Sequence, residues 1–190
     1  MVDLKSMNIL RGNAASPWEG ALYDLLQTCR HLAKKLQYEI LTKGLAQPIC
    51  LTGSLRDEQR TSLETIDTEY PLELKSPFEN IESVAGGIWP SADGKDDALL
   101  KLRFASGTKN LPVHSHDFSN RVIIALSGSG TYHYRSESNL NAIEVKPGRV
   151  LAFSQGLEHT FRTDADDLLL LSYHTPFIPL DDPRQYRIAE

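Results

Sequence analysis

The chain has 190 residues, a formal net charge of −5 and a sequence pI near 5.7, which suits one domain with a helical extension and excludes a broad basic footprint for nucleic acid. Hydrophobic residues make up 41% and charged residues 24%, enough to bury a substantial core without staples. The two cysteines, Cys29 and Cys50, have neither metal-type nor redox-type spacing, so a reduced compartment is the simpler expectation.

The first twenty residues, MVDLKSMNILRGNAASPWEG, lack the apolar core of a secretory signal. The apolar run at residues 168–171 suits a buried strand, and no apolar stretch approaches the length of a membrane span. A soluble, cytoplasmic protein is expected, with no membrane and no nucleic-acid partner.

A helix is the first element that the pattern predicts. Ser16 at the N-cap, Pro17 at the first helical position and Glu19 three residues after the cap form a capping box. Trp18, Leu22, Leu25, Cys29, Leu32, Leu36 and Ile40 then recur every three or four residues as one apolar stripe. Lys34, Lys35 and Lys43 suit the negative end of the helix dipole, and Gly44 suits the stop. The spacing predicts a helix over 17–43, docked on its own domain or on a dimer partner; a DNA-binding helix-turn-helix is disfavoured by the acidic balance.

A short strand at 48–52 and a polar helix at 54–66 follow, and then a loop punctuated by Pro71, Pro77 and Asn80. From residue 81 the pattern changes to short strands separated by turn residues, at 83–89, 98–104, 113–116, 121–127, 131–135, 142–145, 149–153, 159–163 and 168–173. Such spacing predicts a β-sandwich or barrel. The organisation expected is therefore a helical and irregular extension over 1–80 packed on the barrel, a barrel over 81–175, and an irregular surface arm over 176–190 that carries three prolines.

His114-Ser115-His116 places two imidazoles at i and i+2 on an extended segment, where side chains alternate and both project to one face. Arg121 and Gly128 follow, and Gly148, Gly156 and His159 come further downstream. A third histidine from another strand, His159, can complete a three-nitrogen metal site.

These positions resemble the two motifs of the cupin superfamily, single-domain RmlC-like jelly-roll barrels. The first motif is a glycine, His-x-His, a glutamate four or five residues on, and a glycine seven residues further. His114, His116, position 121 and Gly128 reproduce it, while Gly107 lies one residue too far upstream to match the leading glycine. In the second motif Gly148, Gly156 and His159 fall in register, with Ser154 at the proline position and Thr163 at the asparagine position. The resemblance covers about residues 81–175 and implies a mainly β fold, an antiparallel double-stranded β-helix (jelly roll, cupin barrel) behind an N-terminal helical extension.

The resemblance also implies a divalent transition metal, Fe, Zn, Ni or Mn, held by His114, His116 and His159, with open positions for water or substrate. Arg121 departs from the pattern: a guanidinium stays protonated, offers only donors and repels a neighbouring cation. Three arrangements stay open. Arg121 swings out and leaves a three-histidine centre, as in some cupin dioxygenases that lack the glutamate. Metal and Arg121 coexist, with an anionic substrate or a carboxylate such as Asp117 between them. In the third the site is metal-free, and Arg121 with the histidines holds an organic anion by forked hydrogen bonds.

If Arg121 faces inward, Ile123 and Ala125 share its face, and Tyr132 and Tyr134 share one face of the next strand. Arg121, Tyr132 and Tyr134 are the candidate substrate-binding residues. No residue is assigned a catalytic role; Tyr132, Tyr134, His133 and Glu158 are the candidate bases. His31 reads as a core residue, while His133 and His174 are open between core and site.

Two functions from different classes follow. One is a metal-dependent, dioxygenase-like oxidoreductase acting on a small anionic substrate, with Arg121 clamping a carboxylate. The other is a non-enzymatic sensor or binding cupin, since His114-Ser115-His116-Asp117-Phe118 also resembles the ligand-binding cupin of AraC-type regulators. A structural cupin without chemistry is the third. A homodimer is expected, because exposed strand edges need covering.

Overall fold

α1 (Pro17–Lys43) lies against a sheet and buries Leu25, Leu26, Cys29, Leu32, Ala33 and Leu36 there. The computed structural model describes residues 17–43, 47–51, 57–64, 83–90, 96–179 and 182–190. Ser16, Gly44 and the loop at 65–80 lie outside the described residues, as do the side chains of Trp18 and Leu22. Along the described part of the stripe, Leu25, Cys29, Leu32 and Leu36 are buried and Ile40 is half-buried. His31, expected in the core, is exposed instead.

β1 (Ile49–Leu51), α2 (Asp57–Glu64), β2 (Ser83–Pro90), β3 (Ala98–Phe104), β4 (His114–Ser115) and β5 (Asn120–Ser127) follow. The chain continues with β6 (Gly130–Ser136), β7 (Asn139–Val145), β8 (Val150–Phe153), β9 (His159–Thr163), β10 (Leu168–Thr175) and β11 (Arg187–Ile188). Two antiparallel sheets result, ordered β1-β8-β5-β10-β3-β2 and β11-β4-β9-β6-β7. Such a double-sheet jelly roll closes one core between its sheets.

β5 shows how the two cores are built. Val122, Ile124 and Leu126 face α1 and α2 in one cluster with Leu99, Val150, Leu171 and Tyr173. Ile123 and Ala125 face the barrel interior with Leu151, Phe153, Phe161 and Leu170. A strand buried on both faces reads as a continuous apolar run, which is why Val122-Ile123-Ile124-Ala125-Leu126 shows no alternation. The edge strand β7 alternates between exposed and half-buried positions before ending on the buried Val145.

Gly128 makes the tight passage from β5 into β6. Its φ is +76°, and a Cβ there would meet the Asp167 carbonyl oxygen at 2.0 Å. Only glycine fits on both counts.

Two ends of the chain enter the barrel's sheets. β1 joins from the extension by pairing with β8. The stretch expected to be an irregular surface arm contributes β11, which pairs with β4, and it buries Gln185. That expectation is corrected on this point: the segment's proline content hid a two-residue pairing that covers an otherwise open strand edge.

Candidate metal centre

His114 on β4 and His159 on β9 are Cα partners across the sheet, so their side chains stand opposite each other on the interior face. Their ring centroids are 4.5 Å apart; His116 lies 5.2 Å from His114 and 5.3 Å from His159. One ring nitrogen from each of the three comes within 4.8 Å of the others. The cluster is the one that the His-x-His spacing and the downstream His159 predict.

The other ring nitrogens are already engaged. Nδ1 of His114 is 2.9 Å from the Pro112 carbonyl oxygen, Nδ1 of His159 is 2.9 Å from that of Leu157, and Nδ1 of His116 is 2.6 Å from that of Gln185. A carbonyl oxygen only accepts, so each Nδ1 carries the proton and donates it. Each Nε2 is then left with a lone pair. Main-chain carbonyls commonly orient metal-ligating histidines in this way.

Burial keeps the rings uncharged. It pulls His114 down to about 4, with the positive charge of Arg121 adding to the effect. For His116 and His159 burial likewise holds the pKa well below the ordinary value, and the neighbouring histidines and Arg121 add to it. Neutral imidazoles are the metal-binding form.

Arg121, on β5, points inward and is 1% exposed. Nη1 donates to Ser119 Oγ at 2.8 Å, and Ser119 in turn donates to the Pro176 carbonyl at 2.6 Å. Nη2 donates to Gln185 Oε1 at 3.1 Å and lies 3.1 Å from His116 Nδ1. That imidazole nitrogen cannot donate to Gln185 and also accept from Arg121. The shorter contact, to the Gln185 carbonyl, is the one that matches a hydrogen bond from a protonated Nδ1. Nε has no partner, and no carboxylate reaches the guanidinium among the described residues. Burial pulls Arg121 down to about 9, still charged at neutral pH.

The arrangement with Arg121 swung out is therefore not the one adopted. Nor does Asp117 mediate: its carboxylate accepts from Ser115 Oγ at 2.6 Å and from Arg187 Nε at 2.8 Å, at the surface.

Tyr132 is fully buried, with its ring centroid 5.4 Å from that of His159 and 5.1 Å from that of Phe153. Its hydroxyl has no partner among the described residues. Tyr134 is the Cα partner of His159, is half-buried, and lies 6.1 Å from Tyr132 centroid to centroid. Both tyrosines thus line the interior face beside the histidines. His133 takes the other face and is half-buried, and Glu158 is spent on Arg135 at 2.7 Å, which removes both from the centre.

Sequence reasoning missed Gln185 and Ser119 and left His174 open. His174 is the cross-strand partner of Arg121 and is buried, with Nε2 at 2.9 Å from Ser172 Oγ and no partner for Nδ1. Its position two residues after Ser172 on an inward-facing row was the available signal. Gln185 carried none, because its role depends on the chain returning to β4.

No family model matches the chain. A search of curated proteins finds Germin-like protein 1 from Brassica napus, 24% identical over 159 residues, which cover 75% of this chain and 77% of the relative. That relative belongs to the cupin superfamily, and it joins a jelly roll that carries the paired histidine motifs on facing strands. The chain has the cupin fold. Solved structures with similar folds include a recombinant oxalate oxidase in complex with glycolate, with a TM-score of 0.46 and 16% identity over 56% of this chain and 57% of the other. An oxalate decarboxylase from Bacillus subtilis scores 0.43 at 16% identity over 50% of this chain, and procruciferin, an 11S globulin from Brassica napus, scores 0.42 at 13% over 52%. The match spans little more than half of the oxidase chain, 24% of the decarboxylase chain and 27% of the globulin chain.

Within the cupin motif, Thr163 at the asparagine position accepts from Thr108 N at 2.8 Å and donates to the Ala105 carbonyl at 2.6 Å, tying the loop after β3 to β9. The chain thus has a three-histidine cluster able to hold a divalent metal, with a buried cation where the motif places a carboxylate.

Proposed function

We propose that this chain is a metal-dependent, dioxygenase-like oxidoreductase acting on a small anionic substrate. One observation carries the reading: three imidazoles, two buried and one half-buried, spend Nδ1 on main-chain carbonyls and keep three lone pairs in one small space. A transition metal bound there supplies a Lewis acid and a redox centre. His114, His116 and His159 hold it. Arg121 orients a carboxylate and offsets its charge through Nε and through exchange of the Gln185 hydrogen bond. Tyr132 and Tyr134, with Phe153 and Phe161, wall the space and limit water. The same reading takes the chain as a cytoplasmic homodimer. Two free thiols support the compartment, and the exposed Tyr38 and Leu41 on α1 and Leu140 on edge strand β7 support pairing.

The experiment is oxygen uptake by protein loaded with iron or manganese, across a panel of two- to five-carbon carboxylates. Turnover with at least one carboxylate is expected, falling roughly 100-fold in Arg121→Met. A second reading, a ligand-binding cupin without chemistry, draws on the uncompensated buried charge of Arg121, which an organic anion would neutralise. Carboxylates that raise the melting temperature with no oxygen consumed would select it.

A further inference from the structure

Residues 182–190 return to the barrel and settle over the His-x-His segment. Arg187 pairs with Ser115 and Ile188 with His114, and the Ala189 amide donates to the Val113 carbonyl at 2.8 Å. Arg187 also forks onto the Asp117 carboxylate, at 2.8 and 3.4 Å. Within this mostly exposed stretch Gln185 is 3% exposed. A fully buried polar side chain between exposed neighbours is unusual and is normally tied to partners.

Two of its partners belong to the centre. Its main-chain oxygen accepts from His116 Nδ1 at 2.6 Å, and its side-chain Oε1 accepts from Arg121 Nη2 at 3.1 Å. The first contact fixes the proton on Nδ1 and leaves Nε2 as a ligand. The second restrains a guanidinium whose Nη2 stands 3.1 Å from that same Nδ1. Were Arg121 to donate there, the proton of His116 would sit on Nε2, and that nitrogen could not bind a metal.

We infer that Gln185 is a positioning residue of the metal centre: its carbonyl holds His116 in the ligating tautomer while its side chain keeps Arg121 from reversing it. The inference rests on the metal reading above for its consequence and on the two Gln185 contacts for its cause. The Nδ1 contacts of His114 and His159 are local, each to a carbonyl two residues before the ring, whereas that of His116 reaches a residue far away in sequence. Docking of residues 182–190 therefore supplies the contact that fixes the tautomer of His116.

The full chain, stripped of metal, serves for the test, with two variants. Gln185→Ala removes Oε1 and keeps the carbonyl; Arg187→Ala with Ala189→Pro removes the fork and the Ala189 donor and loosens the whole segment without touching the barrel core. The tautomer of His116 is read from its ring 15N shifts, assigned by loss of the signal in His116→Gln. Zn2+ affinity is read by competition with a chelating dye. The wild type should show Nδ1–H, and each variant should move His116 towards Nε2–H and weaken Zn2+ by tenfold or more. An unchanged tautomer with affinity within twofold in both variants would overturn the inference. A wild type that binds no Zn2+ sinks the metal reading instead, and the tautomer shift then decides the role of Gln185 by itself.

Discussion

Arg121 carries a positive charge to a place that is 1% exposed, and among the described residues it is held only by neutral acceptors. Its repulsion works against any cation bound by the adjacent imidazoles, and the effect is strong where water is excluded. Arg121→Glu replaces that repulsion with a ligand, so metal affinity should rise by about tenfold or more in isothermal titration; weaker binding would show that the arginine supports the metal. Tyr132 brings a hydroxyl into the same interior without a partner among the described residues. Removing it in Tyr132→Phe should leave stability unchanged or raise it by about 1 kcal/mol in urea unfolding, because an unsatisfied buried polar group is lost.

The histidines set the pH response of the metal-free protein. Burial lowers their folded pKa below the unfolded value of 6.5, to about 4 for His114. The unfolded chain therefore binds more protons between those values, and stability rises with pH across that window. The contribution is complete above pH 6.5 and is lost as pH falls towards 4, on the order of 3 kcal/mol for His114 alone. Urea midpoints measured from pH 7 to 4 should decline through that range. A flat profile would contradict neutral, buried imidazoles.

At the scale of elements, α1 owes its place to its apolar stripe rather than to any link with the site. Leu36 is 1% exposed within the cluster that joins α1 to β5, β8 and β10. Leu36→Ala should cost about 2–5 kcal/mol in chemical unfolding while metal stoichiometry in the folded protein stays unchanged. Gly128→Ala meets both a positive φ and a main-chain oxygen, and should cost roughly 2 kcal/mol or more.

The periodicities made these elements legible. The helix bounds 17–43 coincide with α1, and the nine strands predicted from residue 81 onward each have a counterpart in β2 to β10. What local pattern did not carry was pairing between distant segments. β11 is two residues long and is defined by β4, not by its own alternation. The same limit explains the site: His114, His116 and His159 were legible through spacing, whereas Gln185, Ser119 and the inward turn of Arg121 arise from contacts that no window of sequence contains.

For the whole molecule, one barrel serves two cores. The outer core fastens α1 and α2 to the six-stranded sheet, and the inner core passes from apolar side chains into the histidine cluster. Several buried polar side chains are thus gathered at one place, Arg121, His114, His159, Tyr132, His174 and Gln185, with the half-buried His116 among them. A fold that concentrates unsatisfied donors and lone pairs in its interior is less stable for it, and such concentrations mark function more often than packing. Metal analysis of tag-free protein by mass spectrometry tests the central claim most directly. About one transition-metal ion per chain is predicted for the wild type, lost in His159→Ala at unchanged secondary structure; wild-type protein that retains no metal under any loading condition would contradict it.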